Sequence, residues 1–253
     1  MKKTIRIAIF SLLLLINFPV HSQVKKLISA INSIGTKESI SFKYNNKNQL
    51  IYFDEKGIVT YREFTLKYDK INGRLAECII NEDKGELIQN IKYDYSKLDY
   101  IIEEVKTSGK KIQSKTTDFN NIYVDDRERL KKTTFIDGQL WEEFEYDNNN
   151  NILKYIIHSA NGKNNTQTVY KYNIQKGIFL NIDNFTQWLL ALHINNMKWI
   201  DGLIGENMPI EFTTDNPIYG INTTEVTYEY DKDGYPIKQY YDGDLVREFI
   251  YKE

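Results

Sequence analysis

Chemistry needs reactive side chains at workable spacings, and this chain of 253 residues offers few. Beyond residue 22 it has two histidines, His158 and His193, and one cysteine, Cys78. None of these pair at zinc-ligand spacing. There is no Gly-x-Ser-x-Gly elbow for a hydrolase nucleophile, and no glycine-rich loop to cradle phosphate. Asp231-Lys-Asp-Gly234 opens like a calcium loop, but an EF-hand counted from Asp231 needs glycine where Pro236 stands. Glu142, Glu143 and Glu145 could supply the paired carboxylates of a glycosidase. They lie on an ordinary alternating strand pattern, and a solvated face is the better reading. Cys78, in Leu75-Ala-Glu-Cys-Ile-Ile80, reads as a small buried strand residue. The sequence therefore assigns no catalytic residue, no metal ligand and no cofactor.

The N-terminus carries an address. Met1-Lys-Lys-Thr-Ile-Arg6, ten apolar-rich residues from Ile7 to Ile16, and an exit ending Val20-His-Ser22 form a secretory signal peptide over residues 1–22. The apolar core is too short for a membrane span, which needs about 20 residues. No cysteine near the cut offers a lipoprotein anchor, and no later apolar run reaches spanning length. The expected product is exported, periplasmic or extracellular, and carries no transmembrane segment. Cleavage takes Lys2, Lys3 and Arg6 from 33 basic side chains and none from 35 acidic ones, moving the net charge from −2 to about −5. Nucleic-acid binding, which needs a concentrated positive field, is thereby disfavoured. A lone cysteine cannot form an internal disulfide, so burial must supply the stability.

Nineteen tyrosines, twelve phenylalanines and only four prolines make a strand-rich composition. One motif recurs. Its best copy is Val226-Thr-Tyr-Glu-Tyr-Asp-Lys-Asp-Gly-Tyr-Pro-Ile237, and weaker copies centre on Tyr44, Tyr68, Tyr93, Tyr146, Tyr172 and Tyr251. The spacing within runs of copies marks a repeated β-hairpin. The Asp or Asn after each tyrosine can accept from backbone two residues on and start a turn, with glycine in the left-handed position. The fold expected is all-β: a long antiparallel meander of hairpins, about 14–16 strands by this count, rolled into a curved single sheet over residues 23–253. The opening stretch Val24–Ile34 fits strand better than helix.

The period fails at about residues 174–224. Asp183-Asn-Phe-Thr-Gln-Trp-Leu-Leu-Ala-Leu-His-Ile194 predicts a helix, capped by Asp183 or Asn184, with Phe185, Trp188, Leu189 and Leu192 as its apolar stripe. A second apolar piece, Met197–Ile204, follows, and 207–210 and 215–220 read as loop. This insert is expected to plug the concave face as core. If a ligand binds, the apolar cluster Trp188, Leu189, Leu192 and Trp199 is the candidate site.

The Tyr-Asp-x-x-Gly hairpins, with Tyr170-Lys-Tyr-Asn173 before the insert and Glu225–Ile237 after it, resemble a group of uncharacterised exported Bacteroidetes proteins of YD-repeat-like type. The likeness covers most of residues 24–253. It implies a strongly rolled antiparallel sheet with a helical plug, and brings no catalytic residues. Three functions follow in order of expectation. The first is a non-enzymatic cell-envelope or secreted binding or scaffold module for a glycan or protein. The second is a periplasmic carrier of a lipid or other apolar ligand in a half-barrel cavity closed by the insert. The third is an unrecognised hydrolase.

Overall fold

The computed structural model describes residues 25–110, 112–159, 164–194 and 201–252. The expected signal peptide and Trp199 lie outside these. Eight strands precede residue 125: β1 Ile28–Ser33, β2 Ser39–Tyr44, β3 Leu50–Lys56, β4 Tyr61–Tyr68, β5 Leu75–Glu82, β6 Leu87–Asp94, β7 Ile101–Gly109 and β8 Ile112–Val124. Eight follow: β9 Leu130–Phe135, β10 Leu140–Tyr146, β11 Ile152–Ile157, β12 Thr166–Lys176, β13 Asn207–Asn216, β14 Gly220–Tyr230, β15 Pro236–Tyr241 and β16 Asp244–Tyr251. One helix, α1 (Asn184–His193), and a 3-10 turn at Asp201–Leu203 lie between β12 and β13.

Every strand pairs antiparallel with its sequence neighbours, and β1 also pairs with β16, Ile31 opposite Phe249. The sheet is therefore a closed barrel of 16 strands, which corrects the expected open, curved sheet. The physical reason is that an open meander leaves two rows of unpaired backbone donors and acceptors, and closure removes both. The hairpin period is local and carries no sign of that end-to-end pairing. The insert is also shorter than expected. It runs from Gly177 to Glu206, because Asn207-Met-Pro-Ile210 belongs to β13 and residues 217–219 are a tight turn between two long strands. A glycine is needed where the insert leaves: Gly205 has φ 124°, and a Cβ there would lie 2.5 Å from Asn151 Oδ1.

Strand alternation sorts side chains to the two faces. Ile40, Phe42, Phe53, Phe64, Leu66 and Ile80 point inward and are buried. The outward face carries charge in register: Lys67 opposite Glu77, Glu145 opposite Lys154, Lys171 opposite Glu211 and Glu229 opposite Lys238. These pairs close at 2.7, 3.3, 2.7 and 3.0 Å. This polarity is the reverse of a membrane barrel, whose outer band is apolar and whose interior is polar. A lysine on a lipid-facing wall costs about 2–4 kcal/mol at mid-membrane, so these four pairs suit water, beside exposed apolar residues such as Val169 and Ile250. No helix among the described residues is long and apolar enough to cross a membrane.

An apolar lining needs filling. Sixteen strands spaced about 4.8 Å apart and tilted about 40° enclose a circle roughly 30 Å across, more than the lining side chains alone can fill. The insert supplies the rest. Asp183 caps α1, accepting from Thr186 N at 2.8 Å and Thr186 Oγ1 at 2.7 Å. Phe185, Trp188, Leu189 and Leu190 are buried, with the Trp188 ring edge-on to Phe185 and Tyr93. Gln187 ties the two ends of the insert together: Nε2 donates to Phe179 and Ile182 carbonyls, and Oε1 accepts from Gly205 N. At the far end of α1, Arg62 donates to the His193 carbonyl and pairs with the buried carboxylate of Glu55.

Several tyrosines at the ends of even-numbered strands share a task. Tyr44, Tyr68, Tyr95 and Tyr251 reach back along one rim and donate to the carbonyls of Ile28, Leu50, Leu75 and Pro236, at 2.7–2.8 Å. Each of those carbonyls belongs to the first residue of the preceding odd-numbered strand, where the ladder runs out. Tyr228 does the same for Pro209 on β13. Replacing Tyr68 by Phe removes one such bond without changing the packing. It is expected to cost about 1–2 kcal/mol, read as a lower urea midpoint with an unchanged slope. An unaltered midpoint would deny the clasp its role.

Candidate functional site

The turns that follow the even-numbered strands all lie at one rim. Each begins with the Asp or Asn of the repeat. Asn45, Asp69, Asp125, Asp147 and Asp231 each use Oδ1 to accept two backbone N–H groups of their own turn. The left-handed position is glycine only at Gly73 and Gly234; Asn48, Glu128 and Asn150 fill it elsewhere, with φ near 60°. Once the carboxylate or amide has fixed the turn, the side chain at that position is free to vary.

The insert enters and leaves through this same rim, and two cavities flank the start of α1. The larger, about 980 Å³, lies between the turns at 69–74, 95–100 and 125–129. Tyr68, Tyr95 and Phe185 form its aromatic part, and Asn72, Asp99 and Asp126 supply polar groups. The Arg74 guanidinium lies 5.2 Å from the Tyr95 ring centre and reaches across to Glu128 at 3.0 Å. Ile71 and Leu98 stand fully exposed on the adjoining turns. The smaller cavity, about 660 Å³, is bounded by the N-terminal segment, the 45–49 turn, the insert entry and the C-terminus. Gln49 and Asp183 line both.

Electrostatics stiffens the rim. Burial would raise the Asp125 carboxyl, but Arg129 and the backbone N–H groups of Arg129 and Arg127 outweigh it and hold it below the usual range. At Asp231 burial is likewise outweighed, by Lys26 and the backbone of Tyr235 and Asp233. The backbone N–H groups of Asn72 and Ile71 lower Asp69. Burial pushes the Tyr68 and Tyr95 hydroxyls well above the ordinary tyrosine value.

Trp188, Leu189 and Leu192 of the sequence-derived cluster lie elsewhere, in the lumen. Trp188 and Leu189 are 1% and 0% exposed, and Leu192 packs against the core. Trp199 lies outside the described residues. These side chains act as filling. The tested chemistry also resolves. Glu142 points inward and accepts from Tyr155 and Thr133, while Glu143 and Glu145 point outward to His158 and Lys154, so the three do not face a common point. His193 Nε2 sits 3.7 Å from buried Glu103. Cys78 is buried, and burial drives its thiol upward. Among the described residues no three His, Cys, Asp or Glu side chains group as a metal site. The rim cavities were not legible in the sequence; their only signal was that all the repeat's turns must share one end.

No family model matches this chain, and no curated protein matches it. Among solved structures it is similar to a porin-like protein from Bacteroides uniformis ATCC 8492, with 13% identity, a TM-score of 0.48, and 89% of this chain and 98% of that one covered. It is similar also to a porin-like protein from Bacteroides vulgatus ATCC 8482, with 12% identity, a TM-score of 0.44, and 90% and 99% covered. Likeness at this level says nothing of function.

Because Asp69, Asp125 and Asp231 sit below their unfolded values, the stability they add is complete above the ordinary aspartate pKa of about 3.9 and is lost as pH falls through the depressed folded values. Urea midpoints measured from pH 7 downward are expected to fall once pH drops below about 4. Asp125→Asn, which keeps the turn acceptor but not the charge, is expected to flatten part of that fall. A midpoint that rises in acid would contradict the assignment.

Proposed function

We propose that the protein is a non-enzymatic, exported binding module that holds an oligosaccharide on its turn-bearing rim. The observation that carries this reading is the insert: it occupies the barrel axis, so the large cavities open at the rim beside α1. A closed barrel has no free strand edge to which an extended peptide could add. The larger cavity combines planar polar groups, Asn72, Asp99 and Asp126, with the aromatic surfaces of Tyr95 and Phe185. That pairing suits a ligand with hydroxyls on its edges and apolar C–H faces. The recurring Tyr-Asp hairpins support kinship with the exported YD-repeat-like proteins. The alternative of a lipid carrier finds no support in the buried state of Trp188 and Leu189.

Titration calorimetry of the chain from Gln23 onward, against neutral hexasaccharides of glucose, xylose and mannose, tests the reading. At least one is expected to give saturable heat. That heat should be lost in the double variant Asp99→Ala/Asp126→Ala, whose exposed positions leave folding intact. Silence from every hexasaccharide, neutral and acidic alike, or undiminished binding by the variant, would refute it.

A further inference from the structure

The smaller rim cavity carries an unmet charge. Three lysines line it, from three distant parts of the chain: Lys25 ahead of β1, Lys47 on the turn between β2 and β3, and Lys252 after β16. None of the three forms an ion pair among the described residues, whereas Lys26 beside them is held by both Asp231 and Asp233 at 2.7 Å. The one carboxylate in the lining, Asp183, is engaged by Thr186 at the start of α1. The remaining groups include Asn181, whose amide donates to the Lys26 carbonyl and the Tyr235 hydroxyl, and Gln49. The larger cavity is the opposite. Its lining holds Asp99, Asp125, Asp126, Glu128 and Asp183 against Arg74 and Lys97. Gln49 and Asp183 line both cavities, so the cationic one and the acidic, aromatic one lie side by side on the rim.

We infer that the oligosaccharide held on the rim is acidic, carrying a carboxylate or sulfate-ester group that docks among Lys25, Lys47 and Lys252. The inference rests on the rim-binding reading above. Neutral sugar units lie along the Tyr95 side, where the acidic lining accepts from hydroxyls and would repel an anion. The anionic unit lies at the lysine end, which Lys25, Lys47 and Lys252 line without an acidic partner among the described residues. The charge asymmetry thus also fixes the direction in which the chain is bound. Such contacts are charge-assisted and weaken with salt.

The test compares a glucuronic acid hexamer, a sulfated glucose hexamer and a neutral glucose hexamer by calorimetry on the chain from Gln23 onward, at low and at 0.5 M salt. At low salt at least one acidic hexamer is expected to bind about tenfold tighter than the neutral one, the size of one net charge-assisted contact. The carboxylate and sulfate arms identify which anion the site takes. The advantage should shrink at high salt and vanish in the triple variant Lys25→Gln/Lys47→Gln/Lys252→Gln, whose positions are exposed. Equal affinity for acidic and neutral hexamers overturns the inference while leaving the rim reading standing. A preference that survives in the triple variant also overturns it. Absence of binding by all three sugars, and by the neutral xylose and mannose hexamers, refutes the rim reading and the inference together.

Discussion

A closed wall of 16 strands with an apolar lining cannot exist in water unless something fills it. In a membrane barrel the wide lumen is polar and holds water. Here the inward row is mainly Ile, Leu, Phe and Tyr, and the outward row includes four Lys–Glu pairs. That inversion places the burden on the insert, whose described residues 177–194 and 201–206 start and end at one rim and bury Phe185, Trp188, Leu189 and Leu203. The anchors of this segment are correspondingly many: Asp183 at its cap, Gln187 between its ends, Arg62 at the last carbonyl of α1, Asn184 on the Arg127 carbonyl and Asn181 on the Lys26 carbonyl.

The rim follows from the same constraint. Filling the axis leaves the functional surface to the turns, and the turns are where the repeat concentrates its special residues. Tyrosines close the strand ends, Asp and Asn fix the turns, and the residues between are left free to differ. Lys47, Ile71, Leu98 and Asp126 all occupy such free positions. The repeat therefore makes a rigid frame from shared residues and a varied surface from the rest, a division of labour common to binding proteins whose loops sit on a fixed scaffold.

Much of the frame could be read in the chain before its shape was known. The hairpin unit, its Asx turns, the strand at Ile28–Ser33, the helix and its Asp183 cap, and the core role of Trp188 and Leu189 all follow from local chemistry: period 2, period 3.6 and capping preferences. What could not be read depends on contacts distant in sequence. Pairing of Ile31 with Phe249 spans nearly the whole chain, and nothing in either strand names its partner. Strand β13 was hidden because Pro209 and Pro217 mark its ends like loop residues, while its pairing with β12 and β14 keeps Asn207–Asn216 extended. The rim cavities were hidden for the same reason. Lys25, Lys47 and Lys252 meet only because closure brings both chain ends to one edge. Trp188, Leu189 and Leu192 drew attention in the sequence because they are core.

The most direct test of the account removes the filling. Gly177 N and the Glu206 carbonyl are 2.7 Å apart, so residues 178–205 can be replaced by an Asn-Gly turn without straining the wall. Urea unfolding of that variant, followed by near-ultraviolet circular dichroism, is the measurement. Dependence of the barrel on its insert predicts loss of the cooperative transition. A sharp transition at the midpoint of the intact chain would show that the wall stands alone, and would contradict the account.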